Sequence, residues 1–180
     1  MTEELQTHKV WRLPAHVDTD ALAPGPYMQL GIEGIAPHCL EQLRPEFAGS
    51  VVAGDVIVAG TNFGVGSSRE QAAGVLKHLG ISHVIAPGFA GLFYRNAINL
   101  GLPLLICERA GEIGDGQIIR INKKLAMIDV MNATGKINMQ LPYEPLPNFL
   151  QAMIDAGGLL AQLRAKFDAG RDLGHDGQAT

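Results

Sequence analysis

Residues 60–70, GTNFGVGSSRE, place Ser67, Ser68 and Arg69 between a glycine-rich turn and the start of a predicted helix. Helix N-termini gather unpaired backbone N–H groups and the positive end of the peptide dipoles, so such a place attracts anions. Gly64 and Gly66 are expected to let a ligand approach the backbone closely. Arg69 adds a planar fork suited to a carboxylate. The string is neither a dinucleotide fingerprint nor a P-loop: after Gly64 and Gly66 the third glycine would fall where Arg69 stands, and no Gly-Lys pair is present. A small carboxylate is the fitting ligand. The same residues also read as a capping box, S-x-x-E, in which Ser67 and Glu70 satisfy each other's backbone donors. Capping and binding are compatible, because one hydroxyl can cap while its neighbour points into a cleft. A serine hydroxyl is a poor base, and no His or Asp lies close in sequence to activate it.

A second segment, VDTD at 17–20, opens a loop running through ALAPGPYMQLG to residue 31. Asp18 and Asp20 predict an Asx-type turn, and only nearness to Arg69 in the fold would make them functional. The six histidines show no metal-ligand spacing and read as surface or core residues. Cys39 and Cys107 stand 68 positions apart with no C-x-x-C, so a disulfide framework, a zinc site and an iron-sulfur site are all out of this chain's reach. A cluster needs about three or four thiolates.

The elements that must position these residues are short, punctuated by 22 Gly and 10 Pro. Apolar runs at 56–59, 84–86 and 102–107 predict strands covered on both faces. Between them, 68–79 (SREQAAGVLKHL) and 89–100 (FAGLFYRNAINL) carry apolar residues at helical spacing and predict crossover helices. Residues 113–140 alternate apolar and polar around Gly-Asp-Gly at 114–116 and Ala-Thr-Gly at 133–135, which predicts antiparallel hairpins. After Pro142 and Pro147 the chain turns helical, with a break at Gly157-Gly158 and a frayed end. The fold class is therefore α/β, with a mixed sheet and C-terminal helices.

With 180 residues, 47% of them hydrophobic, the chain can build a sizeable core without staples. A net charge of −4, with no basic cluster longer than Lys123-Lys124, argues against nucleic acid and acidic membranes as partners. No stretch is long and apolar enough to span a bilayer, and the acidic start MTEELQTHKVWRLP is unlike a signal peptide, so the expected localisation is cytoplasmic.

GTNFGVGSSREQA, the upstream VDTD with GPYMQLG, and the downstream VIAPGFAGLFYRNAINLGLPLL together resemble the small subunit of 3-isopropylmalate dehydratase, of the archaeal-type branch of the aconitase superfamily. The three motifs occur in the family's order, and NFLQAMIDAGGLLAQL resembles its C-terminal helices. The resemblance implies one swivelling β/β/α domain over 1–180, with a core at about 8–143, a helical appendage at about 146–169 and a frayed tail at 170–180. It implies a heteromeric enzyme in which a separate large subunit carries a four-iron four-sulfur cluster and this chain binds no cofactor. By the same resemblance Ser67 is the base that takes the substrate's proton, Arg69 clamps a carboxylate, Ser68 adds a hydrogen bond, and Asp20 orients the arginine or a substrate hydroxyl.

Tyr27, Met28, Gln29 and Leu30 occupy the loop that selects substrate in this branch. Homoaconitase-like relatives place an arginine at the position of Gln29; here no counter-charge is present, and a buried carboxylate without a partner is costly. The implied substrate is a small hydroxy-dicarboxylate, 2-isopropylmalate and 3-isopropylmalate first, with methyl- or dimethyl-substituted malate as the alternative and a homoaconitase-like role after it. A stand-alone carboxylate-binding module is the reading from a different class.

Overall fold

The structure, a computed structural model, describes residues 6–172, so most of the expected frayed tail lies outside the described residues. Seven strands form one sheet in the order β4-β3-β2-β1-β5-β6-β7. The first four, β1 (Thr7–Arg12), β2 (Val56–Val58), β3 (His83–Ala86) and β4 (Leu104–Ile106), run parallel. The remainder, β5 (Ile118–Asn122), β6 (Met127–Met131) and β7 (Ile137–Pro142), pair antiparallel, with β5 joined to β1. The mixed sheet agrees with the sequence reading. The central strand β1 was not among the sequence expectations, because His8, Lys9 and Arg12 interrupt its apolar residues.

Successive residues of the parallel strands feed two cores, as the two-residue period of a strand requires. Trp11, Ile57, Val84 and Leu104 join the helix-covered core; Val10, Val56, Ile85 and Leu105 join a second core closed by Ile119, Ile128, Val130 and Leu141 of the antiparallel strands. Burial on both faces explains why β2 and β3 read as unbroken apolar runs.

Helix α4 (Glu70–His78) links β2 to β3, and α5 (Gly91–Leu100) links β3 to β4. Both bury an apolar stripe at helical spacing, Ala72, Ala73, Val75 and Leu76 in α4 and Phe93, Ala97 and Ile98 in α5. The segment 17–31, expected as a loop, instead folds into two short helices, α1 (Thr19–Leu22) and a 3-10 helix at Gly25–Leu30, and is followed by α2 (Gly31–Ile35) and α3 (Phe47–Ser50). Of the two expected hairpin turns, only Ala-Thr-Gly joins antiparallel neighbours. The Gly-Asp-Gly turn brings the chain back beside β1, where Gly116 N–H donates to Val10 O at 2.9 Å. The β5 to β6 turn comes at 123–126, where Asn122 Oδ1 accepts from Leu125 N–H at 3.1 Å. Helices α6 (Asn148–Asp155) and α7 (Leu159–Asp172) are separated at Gly157-Gly158 as expected, and Lys77 Nζ fastens the break by donating to Gly157 O at 3.0 Å.

Candidate active site

Two loops leave the carboxyl ends of neighbouring strands, 13–18 after β1 and 59–69 after β2. They are stitched together along the backbone. Gly64 N–H donates to Val17 O and Thr19 N–H to Val65 O, each at 2.8 Å. Asp18 is used locally, as a helix cap in place of the expected Asx-type turn: its Oδ1 caps α1 by accepting from Ala21 N–H at 2.7 Å.

The glycines serve packing more than ligand access. Gly64 is buried at φ 80°, and a Cβ there would overlap the Phe93 ring. Gly66, at φ 108°, would bring a Cβ to 3.1 Å from Thr19 Oγ1. Both positions combine a left-handed backbone with a close neighbour, which only glycine accommodates. The expectation that Gly64 opens the backbone to a ligand is thus corrected.

The capping box is corrected as well. The N-cap of α4 is Arg69, at φ −98° and ψ 111°, with no side-chain cap bond. A tight turn, with Arg69 N–H donating to Ser67 O at 2.8 Å, delays the helix past the serines. Ser67 and Ser68 are exposed, just ahead of the helix start.

Arg69 Nη1 ion-pairs with Asp20 Oδ1 and donates to Ala23 O at 3.0 Å, so the fold does bring the two motifs together. The Arg69 side chain is 21% exposed and Asp20 is 64% exposed. The hydrogen bond and charge of Arg69 hold the Asp20 carboxyl below its ordinary range, aided by a backbone bond from Gly25. Asp20 therefore stays ionised at neutral pH. Among the described residues, both recorded partners of the Arg69 fork are on Nη1, which leaves Nη2 and Nε for a second carboxylate. Beyond Asp20 a cleft of about 470 Å³ is walled by His16, Pro24, Gln42 and Leu43.

Of the four residues expected to select substrate, Tyr27 and Met28 are half-buried while Gln29 and Leu30 are exposed, and none carries a charge. Two positioning groups escaped the sequence reading. The Ala23 carbonyl gives no side-chain signal at all, and Thr19, buried against Gly66, reads in sequence as filler between two acids.

An iron-sulfur cluster does not fit the donors present. Cys39 and Cys107 are buried in different cores, burial pushes both thiols up, and no group of three or more His, Cys, Asp or Glu among the described residues is arranged to hold a metal.

Residues 52–109, spanning β2 to β4 and the serine-arginine loop, match the aconitase C-terminal domain. Over 162 residues the chain is 41% identical to the 3-isopropylmalate dehydratase small subunit of Syntrophus aciditrophicus, covering 89% of this chain and 96% of that one. It is 40% identical over 163 residues to the methanogen homoaconitase small subunit of Methanothermobacter thermautotrophicus, covering 90% and 92%. The crystal structure of 3-isopropylmalate dehydratase from Methanocaldococcus jannaschii superposes with a TM-score of 0.84 at 38% identity, covering 92% of this chain and 97% of that one. The mixed sheet with its C-terminal helices, and the paired loops at the strand ends, are the fold of these hydro-lyase subunits, and the chain belongs to the 3-isopropylmalate dehydratase small-subunit family of the aconitase superfamily.

Proposed function

We propose that this chain, with a large subunit carrying the iron-sulfur cluster, interconverts 2-isopropylmalate and 3-isopropylmalate by dehydration and rehydration on the leucine pathway, in the cytoplasm. The observation that carries the site assignment is the Arg69–Asp20 pair, which joins two sequence-distant motifs at an exposed mouth. Arg69 binds a substrate carboxylate through the nitrogens that Asp20 and Ala23 leave open, and Asp20 keeps the guanidinium aimed. Ser67 Oγ takes the proton from the substrate carbon and returns a proton to the double bond on rehydration. The positive end of α4 and the Arg69 charge favour the alkoxide that this role needs. Ser68 hydrogen-bonds the substrate beside it.

Relatives acting on isopropylmalate and on the homoaconitase substrate are equally similar to this chain, at 41% and 40% identity, so overall similarity does not choose between them. The loop does. Gly25–Leu30 holds no cation, and a third carboxylate enclosed there would lack a partner.

Anaerobic co-purification of the tagged chain from its own cells tests this reading. A brown partner containing iron and sulfide is expected, with dehydration of isopropylmalate exceeding that of citramalate, dimethylmalate and homocitrate. In that complex Ser67→Ala should lower kcat by about 10²–10⁴, the range of a lost general base, while assembly persists. Substantial turnover by Ser67→Ala sinks the serine assignment, and turnover by the purified chain alone sinks the partnership. Recovery of the chain without iron or activity would favour the carboxylate-binding module.

A further inference from the structure

The loop that selects substrate in this reading, Gly25–Leu30, contains no buried residue. Core packing holds it only in part, since Tyr27 and Met28 are half-buried against the helix-covered core while Gln29 and Leu30 are exposed. Within the loop, Tyr27 N–H donates to Pro24 O at 3.0 Å, which closes one turn but does not fix the ring. The Tyr27 ring lies flat on the His38 imidazole, with centroids 3.5 Å apart and planes within 8°. His38 Nδ1 is 2.7 Å from Glu41 Oε2. A carboxylate only accepts, so Nδ1 carries the proton and donates, and the bond sets the rotation of the imidazole under the phenol.

The platform beneath is buried. Cys39 and Leu40, which follow His38, are fully buried. Leu40 is held at φ 62°, a conformation that a leucine adopts only where surrounding packing over-determines it. Its N–H donates to Ala21 O at 2.7 Å, in the same short helix that carries Asp20. The stack therefore ties the selecting loop to the element that aims Arg69.

We propose that His38, oriented by Glu41, is a positioning residue that pins Tyr27 and through it the substrate-selecting loop. This rests on the reading above that Tyr27, Met28, Gln29 and Leu30 face the variable group of the substrate. The test uses the complex with the large subunit, comparing wild type, His38→Ala, His38→Phe and Glu41→Gln. Two quantities are read: kcat/KM for isopropylmalate and citramalate, and hydrogen exchange of the amides at 25–31.

His38→Ala is expected to shrink the preference between the two acids by roughly two- to tenfold, the range of a lost aromatic pair, chiefly through KM, and to speed exchange across the loop. His38→Phe should restore both, because the stack needs a flat ring and not an imidazole. Glu41→Gln should fall between. A structural role alone would lower the melting temperature and leave the preference intact. An unchanged preference in His38→Ala overturns the proposal, whatever exchange does. If the wild-type complex converts neither acid, the isopropylmalate reading falls, and exchange then decides alone: a loop no faster in His38→Ala overturns the pinning, whereas faster exchange restored by His38→Phe upholds it.

Discussion

The two ends of the parallel strands both concentrate polar side chains, yet only one end is open for chemistry. At the amino ends of β1, β2 and β3 stand His8, Asp55 and His83, at 6%, 7% and 9% exposure. Each is engaged. Asp55 Oδ2 accepts from Trp11 Nε1 at 2.8 Å and from Val52 N–H at 3.0 Å. His8 Nδ1 lies 2.6 Å from Gly54 O, and His83 Nδ1 2.6 Å from Ser82 Oγ. At the carboxyl ends, Asp20 is mostly exposed and Arg69 keeps part of its fork open. Residue types alone do not separate structure from function here; saturation does. Ligand sites in α/β sheets fall outside the carboxyl ends of the strands, and the proposed site follows that rule.

Removing Arg69 should give the largest effect and the cleanest split between the ends. Arg69→Ala loses the proposed charge-assisted clamp, so kcat/KM of the complex is expected to fall by the equivalent of about 2–4 kcal/mol, or roughly 30- to 1000-fold. Stability should change by about 1 kcal/mol, because the Asp20 side of the lost pair is largely solvated. Steady-state kinetics beside a denaturant melt reads both quantities; a melt that collapses while kcat/KM survives would reverse the assignment of the two ends.

The counterpart at the amino end is Asp55→Ala. It strands the buried Trp11 indole N–H, at about 1–3 kcal/mol for an unsatisfied donor, and removes the bond to the N–H of exposed Val52, so a loss of roughly 2–3 kcal/mol in unfolding free energy is expected. The folded complex should keep its kcat/KM. If the variant is too unstable to purify, Asp55→Asn retains one acceptor and should lie between.

The histidines sharpen the contrast with a pH signature. Burial, with repulsion from His8 and Lys123, pushes the His83 imidazole down to about 3. The unfolded histidine titrates near 6.5, so between these values the unfolded chain binds a proton that the folded chain refuses. The His83 contribution to stability is therefore expected to be flat above about pH 6.5 and to fall by ~1.4 kcal/mol per pH unit below it. Lowered carboxylates such as Asp20 contribute only below about pH 4, outside the range from 6.5 to 5 where the histidine slope should appear. Chemical denaturation across that range measures it, and His83→Gln should flatten the curve. A slope that persists in His83→Gln would assign it to another group.

The carboxyl-end site was more legible in sequence than the amino-end network. The string of Gly64, Gly66, Ser67, Ser68 and Arg69 announces a strand-to-helix turn, because glycines, hydroxyls and a guanidinium have local consequences that spacing records. Its pairing with Asp20 spans 49 positions, and residue types alone left it open. The helix start was misplaced because the Ser67 to Glu70 pattern carries no information about a turn imposed by Gly66 and by the pull of Asp20 on Arg69. Strand β2 was legible from its unbroken apolar run. Strand β1 was not, since its buried His8 is satisfied by the Gly54 carbonyl, and backbone partners leave no trace in sequence. The one-turn helices after β1 escaped for a related reason: four to six residues are too few to show a period.

The smallest expected effect tests whether openness marks function even where an ion pair is present. Asp20→Asn keeps an acceptor for Arg69 and removes the charge. Exposed ion pairs contribute about 0.2–1 kcal/mol, and Asp20 is largely solvated, so unfolding free energy should change by less than about 0.5 kcal/mol. The kinetic effect should exceed the stability effect yet stay below that of Arg69→Ala, because in the proposed site Asp20 aims the guanidinium while Arg69 itself meets the substrate. It should appear mainly in kcat, since a misaimed clamp still binds a carboxylate but presents the proton poorly to Ser67. Steady-state kinetics of the complex beside a denaturant melt separates these outcomes. A melt lowered by more than 1 kcal/mol with unchanged kcat would place Asp20 with Asp55 among the structural acids, and openness would no longer distinguish the two ends.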